Sequence, residues 1–444
     1  MDQQQICLAF IIFIGVAFCY EPFKIPELDI EAFEPRGLRI SIPAKEGIEV
    51  FAFHGKINEE ITQIEQGDLE QYVNKPSSNR FVYIDPDIRL KKGDTIYYWI
   101  YVQHNQLGFR EYDQKYTIQK LSPIQDLQKG ASGAKCDTIS VTKSDSSEKF
   151  CPGDIIIDYR FSAEPIDPKI WSTEHYISLD PDWAFHVYKK DMVKITNSVL
   201  NIQPKIVIEN AQKKIDLRTE CTQKGFCLRD PIATWNPPAV SGRIHSVTKY
   251  AFINVTVRAK LPVGDYIYPE IYLEDPDEHK RRILVAYARG NKNYVQKTTK
   301  KDEGGSLLYG GPYKNVVEPA RTKNLATYRY NEHIGNQWHT FNMIWKQNAI
   351  DLFIDGEKYG QIKEQALKET GFNEGKLVRM VFGVGVGGPY EFPDGYTSSG
   401  KPKPFGSTER DAVKNFVNNI DEVVKTWSDD KSKLEVEYVT ITAI

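Results

Sequence analysis

The chain is built from short runs in which apolar and polar residues alternate. Leu38-Arg39-Ile40-Ser41-Ile42, Ile48 to Phe53, Arg80 to Ile84 and Thr95 to Val102 all follow this pattern. Turn residues punctuate the runs, notably Pro43, Gly47, Gly55, Pro86 and Lys92-Gly93-Asp94. A side-chain period of two, rich in β-branched and aromatic residues, suits strands buried on one face. The pattern resumes in Asp154–Phe161, Arg243–Thr248, Ala251–Lys260, Tyr266–Leu273, Ile283–Ala288, Trp338–Trp345, Ala349–Ile354, Val381–Val386 and Leu434–Ile441. Only Ala412–Trp427 has helical spacing, through Val413, Phe416, Ile420 and Val424. Many strands without strand–helix alternation predict an all-β fold. A 12% aromatic share with only 4 Met agrees.

The pattern predicts four segments. Residues 1–19 read as a signal peptide: Ile6–Phe18 is apolar but too short to cross about 30 Å of hydrocarbon. Ala17 and Cys19 supply small residues at a cleavage site, although Asp2 stands where basic residues are usual. Residues 20–120 read as a small immunoglobulin-like β-sandwich. Residues 121–135, with Ser122-Pro123 and Lys129-Gly130-Ala131-Ser132-Gly133, read as a flexible linker. Residues 136–444 read as a large concanavalin-like β-jelly-roll sandwich. A secreted, extracellular protein without a membrane span follows as the expectation.

The 57 basic and 60 acidic residues leave a net charge of −3, so the basic field that nucleic-acid binding requires is missing. Cys7 and Cys19 would leave with the signal peptide, and Cys136, Cys151, Cys221 and Cys227 remain. Four cysteines allow three connectivities. Proximity favours Cys136–Cys151 and Cys221–Cys227, whereas a zinc site lacks a CxxC pair or a nearby His cluster. No metal or cofactor is expected. GxSxG, HExxH and Walker A motifs are missing. Gly383 to Gly388 spells GxGxxG, but Pro389 and Pro393 follow where a dinucleotide site needs a helix, so it reads as a bulged strand edge. Asn254-Val255-Thr256 is an N-glycosylation sequon within a strand.

Val257 to Asp265, Tyr266 to Leu273, Trp338 to Trp345, Ile354-Asp355-Gly356, Phe382 to Gly388 and Val436 to Val439 resemble, in order, segments of laminarinase-type family 16 glycoside hydrolases. Pro181 to Tyr188, Ala288 to Asn291, Leu308 to Pro312 and Phe392 to Gly395 resemble arthropod β-1,3-glucan recognition proteins, also called Gram-negative-bacteria-binding proteins. So do Phe33 to Leu38, Phe51 to Glu60 and Lys91 to Trp99, which resemble their glucan-binding module. The resemblance implies a haemolymph protein of innate immunity that binds β-1,3-glucan or related microbial polysaccharide. It also implies a serine-protease partner in a cascade leading to Toll signalling or prophenoloxidase. A secreted β-1,3-glucanase and a lipopolysaccharide or lipoteichoic-acid binder are the rival readings.

Retaining glycosidases need two carboxyl groups about 5–5.5 Å apart. Anchored on Arg289-Gly290-Asn291, the resemblance puts the nucleophile position on Arg282, the assisting aspartate on Leu284 and the acid/base on Tyr287, so all three carboxylates are replaced. Glu270, Glu274, Asp275, Asp277 and Glu278 lie just before, in a strand and a turn that read as solvated. Sugar binding needs only ring faces and polar neighbours. By position Phe81 corresponds to the family's stacking Trp, with Arg80, Asp85 and Lys92 as suitable neighbours. Tyr268, Tyr272 and Trp235 are the candidates in the C-terminal cleft. Each of these rings equally fits a core strand position.

Overall fold

The structure, a computed structural model, describes residues 23–444 apart from 63, 64, 66, 75, 77–79, 87, 124–126, 128–138, 147, 148, 162–164, 180, 233 and 408–410. The expected signal peptide lies outside the described residues. The chain divides into two compact units, Met1–Cys136 and Asp137–Ile444.

The first unit holds eight strands: β1 (Asp29–Glu34), β2 (Leu38–Pro43), β3 (Ile48–Ile57), β4 (Leu69–Val73), β5 (Arg80–Asp85), β6 (Thr95–His104), β7 (Leu107–Thr117) and β8 (Leu121–Pro123). They form two four-stranded sheets, ordered β5-β2-β1-β8 and β4-β3-β6-β7. Alternation does what the sequence implies: Ile40 and Ile42 of β2 meet Phe51 and Phe53 of β3, with Ile96, Tyr98, Ile100 and Val102 of β6, in one core. Four strands, β1, β4, β7 and β8, escape the sequence pattern. β4 buries little beyond Leu69, and β7 is a largely exposed edge with a register shift opposite Tyr98 and Ile100. β1 pairs β2 antiparallel and β8 parallel. The expected linker therefore begins inside the sheet, because Leu121 pairs with Ala32.

Phe81 corrects an expectation. It sits opposite Ile42, is only 1% exposed, and packs in the core with Tyr83. Strand parity puts Phe81 and Tyr83 on the inward face, so this ring offers nothing to a sugar.

The second unit is a sandwich of an eight-stranded and a seven-stranded sheet. The first carries Ile253–Lys260, His339–Trp345 and Leu434–Ala443 at its centre; the second is ordered Trp171–Thr173, Arg243–Ser246, Arg379–Val386, Ile267–Glu274, Arg282–Tyr287, Leu307–Tyr313 and Ala326–Arg329. Ile271, Leu273, Phe382 and Val384 from the latter join Val255, Val257, Val439 and Ile441 in a single apolar core. The expected helix is two short ones, Ala412–Asn418 and Ile420–Val424, and a third spans Glu364–Thr370, closed by left-handed Gly371. The GxGxxG strand is interior, not an edge, since it pairs on both sides. Its glycines clear space: a Cβ at Gly383 would collide with the Glu270 carboxylate, and one at Gly385 with the Tyr268 ring.

Cys221 and Cys227 form a disulfide with their Cα atoms 5.6 Å apart. Cys151 is also disulfide-bonded, and Cys136 lies outside the described residues. Asn254 lies half-buried in an interior strand, its side-chain oxygen accepting from Asn342 at 2.6 Å.

Phe81→Ala should cost the first unit about 3–5 kcal/mol as a cavity in a packed core. Phe81→Trp should cost about 1–3 kcal/mol by overpacking. Urea denaturation of both variants checks this, and unchanged midpoints would return Phe81 to the surface.

Candidate carbohydrate-binding surfaces

The polar face of the seven-stranded sheet, opposite the apolar core, is where the family 16 resemblance puts its cleft. Strand alternation directs Tyr268, Glu270, Tyr272 and Glu274 to this face, with Arg282 and Tyr287 from the next strand and Arg243 and Arg379 from the flanking ones. All but Arg379 are buried, and Arg379 is half-buried. Segments from elsewhere in the chain cover them. Asp182 receives both terminal nitrogens of Arg282 at 2.8 Å, and Arg282 also reaches Glu274 at 3.2 Å. Glu274 accepts from Arg243 and Arg379, each at 2.7 Å, and both arginines pair with Glu174 at 3.1 Å. Tyr188 donates its hydroxyl to Glu270 at 2.7 Å. On the other side Tyr287 donates to Glu391 at 2.6 Å, and Arg321 donates to the same oxygen at 2.6 Å. Guanidinium planes cap the rings: Arg282 lies 4.6 Å from the centroid of Tyr272, and Arg321 4.9 Å from that of Tyr287.

Two expectations are corrected here. Tyr268 and Tyr272 are each 3% exposed, enclosed by this network, and present no face to a sugar. Glu270, Glu274 and Asp275 are not a solvated run; they are buried, Asp275 with Arg281 at 3.1 Å. Of the five carboxylates only Asp277 and Glu278 sit in the open turn. Leu284 is buried on its strand, and Arg282–Tyr287 carries no carboxylate. Among the described residues no His, Cys, Asp and Glu cluster is arranged to hold a metal ion. No described helix is long and apolar enough to cross a membrane.

Aromatic rings also line the first unit, on the β4-β3-β6-β7 sheet face turned from its core, where His54 and Trp99 are buried and Tyr72 is open. His54, Trp99 and Tyr112 form a row: Trp99 stacks flat on His54 at 3.9 Å, and Tyr112 lies 6.0 Å from Trp99. Trp99 donates its indole N–H to the Glu65 carbonyl at 2.8 Å, which fixes the ring and largely buries it. Tyr72 stands edge-on to His54 and is 59% exposed. Half-buried Tyr101 packs under the Arg110 guanidinium, 4.8 Å from its centroid. Alternation of Tyr97, Trp99 and Tyr101 was the sequence signal for this face; Tyr72 gave none, because β4 has too few apolar residues to read as a strand.

The remaining candidates scatter. Arg80 donates to Ser41 at 3.0 Å and pairs with Asp29, holding β5 to its neighbours. Asp85 accepts from the Ile88 amide at 3.2 Å, shaping the turn after β5. Lys92 is exposed in the turn before β6. Trp235 is half-buried in the stretch leading to Ala239–Ser241.

Burial moves two titrations on the sealed face in opposite senses. It pushes the Glu270 carboxyl from 4.5 up to about 7, against the pull of Arg243 and Tyr188. It holds the His186 ring from 6.5 down to about 3, and Nδ1 accepts the Val386 amide at 3.1 Å as a neutral imidazole does. Between 4.5 and 7 the folded chain keeps a Glu270 proton that the unfolded chain releases, so this group lowers stability as pH rises. Between 6.5 and 3 the unfolded chain binds a His186 proton that the fold refuses, so stability falls as pH drops. The two offset each other between 4.5 and 6.5. Glu270→Gln should unmask the histidine, adding about 1.4 kcal/mol of stability per pH unit upward through that window relative to wild type. Denaturation curves at several pH values check it; parallel profiles for both proteins would refute it.

A family model described as "Carbohydrate binding domain (family 32)" matches residues 24–140, and "Glycosyl hydrolases family 16" matches residues 308–400. Among solved structures the endo-β-1,3-glucanase of Pyrococcus furiosus is similar at 14% identity and a TM-score of 0.45, over 65% of this chain and 94% of that one. Beta-1,3-glucan-binding protein 1 of Manduca sexta is 30% identical, covering 95% of this chain and 96% of its own. The beta-1,3-glucan-binding protein of Tenebrio molitor is 30% identical over 98% of this chain and 99% of its own. With that identity sustained along nearly the whole of both chains, this protein belongs to the β-1,3-glucan-binding protein family.

Proposed function

We propose that this chain is a secreted recognition protein of innate immunity that binds β-1,3-glucan on microbial surfaces and does not hydrolyse it. The observation carrying this reading is Arg282, locked to Asp182 and Glu274 under a closed cover where the family 16 resemblance puts a nucleophile. A guanidinium cannot attack an anomeric carbon, and Tyr287 has no acidic role, since burial drives its hydroxyl further above the ordinary phenol range. Sugar contact then falls to the open face of the first unit. Tyr72 and Tyr101 offer rings to the apolar faces of pyranoses, and Arg110 and the exposed Glu70, opposite His54 on β4, can take hydroxyls. A long polymer presents many equivalent sites, so weak stacking accumulates through multivalency. Support for glucan as ligand comes from the names of the relatives and the carbohydrate-binding family model. An extracellular location and a serine-protease partner in a Toll or prophenoloxidase cascade rest on the family resemblance.

The full chain should sediment with insoluble curdlan and release no reducing sugar from laminarin. Turnover near ~1 per second would make it a glucanase. Replacing Tyr72 and Tyr101 with Ala should weaken curdlan binding roughly two- to tenfold per ring, as about 0.5–1.5 kcal/mol per stacked pair implies. Binding to lipopolysaccharide with no retention on curdlan would transfer the function to that ligand.

A further inference from the structure

We propose that the Asp137–Ile444 unit carries a second saccharide site, a surface groove beside Trp183 that takes a neutral pyranose chain by its apolar face. This goes beyond the glucan-binding face of the first unit and rests on that reading only for the choice of sugar. Trp183 is 45% exposed, while its neighbours Asp182, Ala184 and Phe185 are buried. Its φ of 51° is left-handed, a conformation that bulky residues rarely adopt and that glycine or asparagine would adopt more readily. Core packing does not call for the indole, since the ring stands outside the core. Strain of this kind persists where the surroundings impose it, and it concentrates at functional sites.

The surroundings here are rigid on both sides of Trp183. Asp182 is gripped by Arg282. The Phe185 amide donates to the Val386 carbonyl at 2.7 Å, and its ring packs on Phe405 and Phe416 at 4.9 and 5.2 Å. The Trp183 amide donates to the Leu179 carbonyl at 2.6 Å. The ring is therefore presented on a fixed base, which limits the entropy lost on binding.

The groove encloses about 350 Å³, and Trp183, Tyr390, Pro237 and Pro389 contribute apolar lining. That volume falls within the range of small-molecule sites, about 300–1,000 Å³. Arg229, Thr234 and Ser407 bring polar groups to the same groove. Arg229 is the single charged side chain among its described lining residues, and it already donates to Thr234 at 2.8 Å. A neutral polyhydroxylated ligand finds flat rings there for its C–H faces and hydroxyl partners beside them. The groove is separate from the sealed sheet face: Asp182 points into that face, and Trp183, next in sequence, lies outside it.

Laminarihexaose titrated calorimetrically into the full chain tests the proposal. Trp183→Gly removes the ring and relieves the backbone, so it should abolish one class of sites while leaving the melting temperature unchanged or higher. Trp183→Tyr should keep that class at reduced affinity, and Tyr72→Ala with Tyr101→Ala should affect only the other class. An isotherm for Trp183→Gly that superimposes on wild type would overturn the groove and leave the glucan reading intact. A clear drop in melting temperature for Trp183→Gly would give the indole a structural role and likewise overturn it. No heat from wild type, together with no retention on curdlan, would refute the glucan reading and with it the ligand proposed here.

Discussion

Much of the second unit depends on how Arg282 is held. A guanidinium taken out of water costs several kcal/mol, and the fold recovers this only through good geometry and complete pairing. Both terminal nitrogens meet the Asp182 carboxylate, the side chain also reaches Glu274, and the plane covers the Tyr272 ring. Glu274 is in turn shared with Arg243 and Arg379, which share Glu174. Removing one member would strand a buried charge at about 3–5 kcal/mol. The network therefore fastens the segment around residues 174–188 across the sheet, and everything beneath it becomes interior.

The same closure explains features that look unrelated along the chain. Gly383 and Gly385 lack side chains because Glu270 and Tyr268 occupy the space over their strand. His186 stays neutral and Glu270 holds its proton more tightly because neither can reach water. Of the rings that an open sugar cleft would display, Tyr272 serves instead as a packing surface for Arg243 and Arg282, and Tyr268 packs beside Tyr287 and Phe392. Exposed aromatic surface is found elsewhere: on the outer face of the β4-β3-β6-β7 sheet, and at Trp183, where the fastened segment turns outward.

Strands that bury one face completely were legible as alternating runs, which is why β2, β3, β5, β6 and the central strands of the large sandwich lie where the pattern puts them. β4 and β7 were not, since an edge with few buried residues or a register shift loses its period. The Cys221–Cys227 disulfide was legible because only six positions separate the two residues. That Arg, Leu and Tyr stand at 282, 284 and 287 was readable from residue identity, but the closed cover over Arg282 was not, because it depends on Asp182, a hundred positions away.

What the sequence determined by itself is the class of structure: strands, two sandwiches, and a strand that carries Arg282, Leu284 and Tyr287 and no acidic residue. Period-two alternation specifies two faces and the spacing between them. It does not say which face meets water. Tertiary structure decided that, turning Phe81 inward and leaving Tyr72 outside, enclosing Tyr272 and exposing Trp183. The physical reason is that burial belongs to what packs against a residue. For Glu270, Glu274 and Arg282 those partners arrive from distant segments, and only their arrival makes a buried charge tolerable.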